Sequence, residues 1–186
     1  HTMRFGTTLD RFMHHNRQTP ALLWSFAYFF CLLSGYYVLR PVRDAMGASS
    51  EVEAVFPSAM IAFFAAHGIP LKDIVLQVLA TCTFVFILIA QPLYGALVSK
   101  FPRRVFLPVL FGFFIACLFV FYALFHSNVT GRGMAFFVWV TVFNVFSVSV
   151  FWSFMADVFN SHEARRYYAY IGAAGTVGAF TGPILT

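Results

Sequence analysis

The sequence predicts an all-α membrane protein, a polytopic bundle of about five transmembrane helices. Of the 186 residues, 60% are hydrophobic and only 10% are charged, whereas a soluble domain carries about 25% charged residues. The charges come in small clusters between apolar runs, and a run of about 20 residues is enough for a helix to cross a bilayer. These runs do not alternate as the strands of a membrane barrel do. Because backbone groups in hydrocarbon must pair internally, helices are the expected elements.

Five apolar runs are expected to cross the membrane. The expected spans lie at about 20–46, 74–98, 105–125, 134–157 and 167–186, after a polar tail at 1–19. Pro20 suits the first turn of the first span, where its missing N–H is not needed. Residues 54–68 are apolar but too few to cross, so we expect a short helix at the outer surface. Because the fifth span runs to Thr186, we expect further helices to follow.

The basic residues predict the orientation, because cytoplasmic loops of membrane proteins carry an excess of Lys and Arg. Three groups of cations would share one side of the membrane: Arg4, Arg11 and Arg17; Lys100, Arg103 and Arg104; Arg165 and Arg166. This pattern places the N-terminal tail in the cytoplasm. The first outer loop fits the rule better if Arg40 and Arg43 belong to the preceding helix.

The stretch GYYVLRPVRDAMG, residues 35–47, ends the first span with charges. On a helix, one face carries Arg40, Arg43, Asp44 and Gly47, with Tyr36 one turn earlier. Arg40 and Asp44 are spaced to form an ion pair, and Pro41 removes one backbone hydrogen bond and is expected to bend the helix. Charged residues within spans usually mark a solute pathway. The alternative is a pair of arginines that snorkel to the interface as anchors.

The turn GALVSKFPRR, residues 95–104, resembles the loop between spans two and three of the major facilitator superfamily. The matching positions are Gly95, Lys100, Arg103 and Arg104. Ser99 stands where that family usually has an acidic residue, and Pro102 stands where it has a second glycine. The alternative is a generic turn that carries cytoplasmic cations.

Asp157 ends the fourth span, where the helix dipole disfavours a carboxylate, so a nearby cation is expected. The candidate partners are Arg103 and Arg104 of the basic turn, or Arg165 and Arg166, which are closer in sequence. The first pairing would latch the cytoplasmic helix ends, as facilitator-type transporters do. The sequence leaves both pairings open.

Four glycines of the fifth span form one stripe on a helix: Gly172, Gly175, Gly178 and Gly182. Without side chains there, a neighbouring helix can approach closely. Gly178, Gly182 and Pro183 resemble the glycine–proline signature of facilitator span five, whose role is close packing.

Two longer blocks resemble the ATP:ADP antiporter family, the nucleotide transporters of plastids and obligate intracellular bacteria. FFCLLSGYYVLRPVRDAMGAS is similar to that family's first span. Arg40 and Asp44 match, and Arg43 stands where plastid members carry a functionally important lysine. FWSFMADVFNSHEARRYYAYIGAAGTVGA resembles the family's connection between spans four and five. The glutamate that the family carries in span four is missing, and Asn144 is the main polar side chain there.

The resemblance implies a secondary active transporter that works by alternating access. The implied solute is an anionic metabolite, phosphorylated or nucleotide-like, bound by Arg40 and Arg43, because arginine makes planar, bidentate contacts to phosphate. The neighbours expected in the cavity are Tyr36, Tyr37, Asn144 and Trp139. The expected partners are the bilayer and the remaining half of the transporter, in a bacterial inner membrane. The alternative is a non-transporting scaffold or assembly subunit built from a half-transporter.

Other function classes have little support. No nucleophile–base pair, metal-ligand spacing or phosphate loop is recognisable, so we expect neither an enzyme nor a cofactor or metal site. Cys31, Cys82 and Cys117 lie inside apolar runs and form no disulfide or zinc pattern. The net charge of +5 reports cytoplasmic loops rather than a nucleic-acid partner.

Overall fold

The structure is a computed structural model, and the part of the chain that it describes is helical with no strand. It describes the backbone of residues 3–159 and 161–185, and the side chains of 20–97, 99–102, 105–159 and 167–185. The helices are α1 (Met3–Gly47), α2 (Val52–Val55), α3 (Ser58–Ala66), α4 (Val75–Lys100), α5 (Arg103–His126), α6 (Arg132–Val158) and α7 (Ser161–Ile184). A 3₁₀ turn at Leu71–Asp73 precedes α4. The all-α prediction is confirmed.

Within the described residues, four helices are long and apolar enough to cross a membrane. The segments are Pro20–Gly47, Val75–Leu97, Val105–His126 and Arg132–Val158. They correspond to the first four predicted spans. The helix α7 has the length to cross, but its glycines and threonines make it less apolar, and it is not among the four. Its span stays a prediction.

Two helices differ from the sequence-based expectation. The helix α1 begins at Met3, so the predicted N-terminal tail continues the first span as helix instead of forming a separate segment. The predicted surface helix at 54–68 is divided into α2 and α3. The division follows from Pro57, because a residue before proline is pushed to extended backbone, and Phe56 has φ −108° and ψ 148°.

The chain separates into two compact units, and the first contains residues 1–39 and 147–186. Its core is aromatic. The buried members are Phe29, Phe151, Met155, Phe159 and Ile171. Phe29 stacks on Phe151, with ring centroids 4.4 Å apart, and meets Trp152 edge-on at 5.4 Å. Such ring pairs add about 0.5–1.5 kcal/mol beyond the area that they bury.

The second unit is Arg40–Phe146, and its described residues include two hydrophobic cores. The first core, here called the end core, contains Val55, Phe56, Leu71, Val75, Leu79 and Phe137. The second core joins α4, α5 and α6 through Phe114, Val142 and Phe146. The end core lies where α2, α3 and the starts of α4 and α6 meet. It adjoins the last turn of α1, since a Cβ built on Gly47 would lie 3.2 Å from Phe137 Cε2 of this core.

Candidate functional site

The charged end of α1 forms a compact ion-pair cluster. Arg40 Nε lies 3.4 Å from Asp44 Oδ2, which is the i,i+4 pair that the sequence predicts. Arg43 makes the shorter contacts, because its Nε and Nη2 donate to Asp44 Oδ1 at 2.9 and 2.6 Å. Two guanidinium groups therefore share one carboxylate, and the cluster keeps one net positive charge.

The ring of Phe137 on α6 lies against this cluster. The guanidinium carbon of Arg43 lies 5.5 Å from the centre of that ring, within the range of a cation–π contact. Gly47 lies against the same ring, and a Cβ built on Gly47 would come within 3.2 Å of Phe137 Cε2. Phe137 is itself buried in the end core. Phe137 could not be singled out from the sequence, because it is one of 26 phenylalanines in the chain and nothing in the sequence distinguishes it.

The two arginines have different surroundings. The Arg43 side chain is 18% exposed, whereas those of Arg40 and Asp44 are 46% and 49% exposed. Arg43 is held by a ring and a carboxylate, which fixes the plane of its guanidinium group. Arg40 is the more exposed of the two arginines. Two guanidinium groups side by side can hold an anionic group, and water screens such an anion less at Arg43 than at the more exposed Arg40.

The other predicted cavity residues are spread over both units. Tyr36 and Tyr37 belong to the first unit, with ring centroids 5.2 Å apart, and Tyr36 is buried. Tyr37 Cβ lies against Gly182 of α7. Asn144 is half-buried on α6 in the second unit. It is seven residues after Phe137, so both lie on the same face of α6, two turns apart.

Trp139 lies in a different environment from the arginine cluster. Its ring packs within the second core, against Phe114, Phe121, Phe136 and Phe143. Its indole N–H is buried and has no hydrogen-bond partner among the described residues. Buried donors are nearly always paired in folded proteins, so this N–H is an exception within an aromatic core.

The basic turn at residues 95–104 is short. Only Phe101 and Pro102 separate α4 from α5, and Lys100, the last residue of α4, is exposed. A Cβ on Gly95 would meet no atom within 4 Å, so in this structure Gly95 makes no close helix contact. The side chains of Arg103 and Arg104 lie outside the described residues.

The partners predicted for Asp157 lie outside the residues whose side chains the structure describes. Asp157 is exposed near the C-terminal end of α6 and takes part in a polar interaction. All four candidate arginines have side chains outside the described residues. The latch therefore stays a prediction.

The glycine stripe packs α7 against α1. A Cβ on Gly178 would lie 2.8 Å from the Phe30 carbonyl oxygen, and one on Gly182 would lie 3.0 Å from that of Ser34. Gly175 faces the ring of Phe29, whereas a Cβ on Gly172 would meet nothing within 4 Å. Ser34 Oγ and Thr181 Oγ1 lie 3.2 Å apart across this contact. Pro183, the last member of the predicted signature, is exposed.

No protein-family model, curated protein or solved structure matches this chain. Among the described residues, no group of three His, Cys, Asp or Glu side chains could hold a metal ion. The strongest candidate site on this chain is therefore the arginine cluster at the end of α1, argued from its own geometry.

Proposed function

We propose that the chain forms part of a secondary active transporter for an anionic metabolite, with phosphorylated and nucleotide-like solutes as the favoured class. In this proposal Arg43 makes the main contact to the anion, and the more exposed Arg40 is a second cation near it. The architecture is that of a facilitator-type N-terminal half, and the remaining half supplies the other wall of the cavity. Solute crosses by alternating access between the two halves.

The observation that carries the proposal is the fixed guanidinium group of Arg43 at the end of an apolar helix. Charged side chains within membrane spans are costly and usually serve a solute or ion pathway. Arginine suits phosphate because its planar group makes two parallel hydrogen bonds. The Phe137 ring holds that plane, which lowers the entropy lost when an anion binds.

A second function is favoured by a different reading of the same contacts. Asp44 already receives hydrogen bonds from Arg43 and faces Arg40, so the cluster is also complete as a structural clasp. A non-transporting scaffold or assembly subunit would need the clasp and no solute. The two functions differ in what a ligand does to the protein.

The test is a ligand-induced thermal shift on the purified full-length protein, followed by uptake into vesicles. The panel contains ATP, ADP, a sugar phosphate and inorganic phosphate. We expect at least one compound to raise the melting temperature. We expect Arg43→Gln to abolish that shift and uptake, and Arg43→Lys to keep part of both, because a point charge attracts an anion without the bidentate geometry.

The matched control is Lys72→Gln, which removes one exposed cation between α3 and α4 and leaves the cluster intact. It should leave the shift and uptake unchanged. Full activity in Arg43→Gln would refute the binding role. It would favour the alternative in which the arginines anchor the helix at the membrane interface. No shift with any compound in the native protein, with the cluster intact, would favour the scaffold.

A further inference from the structure

The helix α3 is apolar on both of its faces. One face carries Met60, Ile61 and Phe64, which pack on the end core of the second unit. The opposite face carries Ala59, Ala62, Phe63 and Ala66, spaced at three, four and seven residues. All four are exposed, and Phe63 keeps 58% of its surface uncovered. A helix that is apolar all round is normally buried on all sides.

The charges around α3 lie only at its two ends. No Asp, Glu, Lys or Arg occurs from 54 to 71, whereas Glu53 precedes this segment and Lys72 follows it. Both of these side chains are exposed. The nine residues of α3 form a rod about 14 Å long, which is less than half of the hydrocarbon thickness of about 30 Å. The segment therefore cannot cross, and its ends return to water on the same side.

The contacts of the second unit place α3 beside the ends of the spans. Two candidate spans, Pro20–Gly47 and Val75–Leu97, come directly before and after the segment that contains it. A Cβ on Gly131 would lie 3.0 Å from Pro57, and one on Gly133 would lie 3.0 Å from Val55. The start of α6 thus touches α2 and the start of α3. The α5–α6 turn and α3 therefore lie at one end of the unit.

We propose that the exposed face of α3, formed by Ala59, Ala62, Phe63 and Ala66, is a lipid-binding surface. The helix lies flat at the membrane boundary, with this face against the acyl chains just below the headgroups. Its other face packs on the end core, which contains Phe137, the residue whose ring contacts Arg43. The inference does not depend on the solute and would hold for a transporter or a scaffold.

The size and chemistry of this face favour contact with lipid over contact with water or with a protein partner. In water the Phe63 side chain would keep most of its apolar surface hydrated, which is unfavourable. A stable protein partner buries about 800 Å² on each side, and three alanines and one phenylalanine on a helix of nine residues present much less. Acyl chains need no such area, because the spans on either side already hold the segment at the bilayer.

Site-directed spin labelling of the full-length protein in phosphatidylcholine–phosphatidylglycerol vesicles tests the proposal. The native cysteines are replaced by alanine, and a nitroxide is attached at Ala62→Cys. Its collision rates with oxygen, which concentrates in lipid, and with a water-soluble nickel chelate are then measured. The same change at two other exposed alanines supplies the controls: Ala116→Cys within the α5 span and Ala48→Cys in the charged loop after α1.

We expect the label at Ala62 to give high oxygen and low nickel accessibility, close to Ala116 and unlike Ala48. High nickel accessibility would mean that the face lies in water, and low accessibility to both reagents would mean that protein covers it. Either result overturns the proposal. Ala66→Cys, one turn along the same face, repeats the measurement in case the first variant does not fold.

Discussion

At the scale of single residues, the contacts of Asp44 change what the sequence alone would predict for Arg40. From the i,i+4 spacing alone, Arg40 is the expected partner of Asp44. Removing Arg40 would then leave the Asp44 carboxylate without an ion-pair partner. In the structure Arg43 is the closer partner, at 2.6 Å. Removing Arg40 therefore leaves Asp44 paired.

We expect Arg40→Gln to lower the melting temperature only slightly. The Arg40–Asp44 pair is nearly half exposed, and exposed pairs contribute about 0–1 kcal/mol because water and salt screen them. Phe137→Ala is the contrast, since truncating a buried phenylalanine costs about 3–5 kcal/mol, and this ring belongs to the end core. Thermal unfolding in detergent compares the two. Equal decreases in melting temperature for Arg40→Gln and Phe137→Ala would show that the ion pair contributes more to stability than its exposure implies.

At the scale of helices, the sequence predicts most of the bounds but not the contacts between helices. The ends of α4, α5 and α6 lie within two residues of the predicted spans. These bounds could be predicted from the sequence, because Pro102 and the polar turn around Asn128 interrupt long apolar runs. The break between α2 and α3 depends on Pro57 and could have been predicted from it. The α1 start could not, because a polar tail continues as helix without an apolar signal.

The site was predictable only where its residues are close in sequence. Arg40, Arg43, Asp44 and Gly47 share a face because they lie on one helix, and helical spacing alone gives that face. Phe137 comes from α6, 90 residues after Gly47, and its approach depends on packing. Helical period likewise predicts the glycine stripe, but not that Gly172 faces open space.

The glycine stripe gives a prediction with an internal control. We expect Gly178→Ala to destabilise the first unit, because the new Cβ would lie 2.8 Å from the Phe30 carbonyl oxygen. Gly172→Ala should be neutral or stabilising, since its Cβ meets nothing within 4 Å. Both changes gain about 1 kcal/mol of helix propensity, so a difference between them reports the helix contact. Overpacking typically costs about 1–3 kcal/mol.

The measurement is the melting temperature of each variant in the same detergent. Gly178→Leu should enlarge the loss, because a longer side chain must displace the α1 backbone. Equal melting temperatures for Gly178→Ala and Gly172→Ala would mean that α7 does not pack on α1 through this stripe.

At the scale of the whole molecule, the arrangement in the bilayer follows from the order of the spans. Consecutive spans alternate in direction, so the turn between α4 and α5 and the turn between α5 and α6 emerge on opposite sides. Lys100 at the end of α4, and Arg103 and Arg104 at the start of α5, flank the first of these turns. The second turn carries one cation, Arg132, at the start of α6. The difference in positive charge predicts which side is cytoplasmic.

Two serines allow this orientation to be tested with matched substitutions. Ser99 and Ser127 are both exposed, and each hydroxyl donates to a carbonyl oxygen at the end of its helix, that of Ala96 at 2.9 Å and that of Ala123 at 2.7 Å. In a cysteine-free background, we expect an impermeant maleimide added outside intact cells to label Ser127→Cys and not Ser99→Cys. Opening the cells should expose Ser99→Cys. The reverse pattern would invert the protein and place the arginine cluster of α1 at the cytoplasmic end, where a solute would meet it from inside the cell. Labelling of both sites from outside would mean that α5 does not cross.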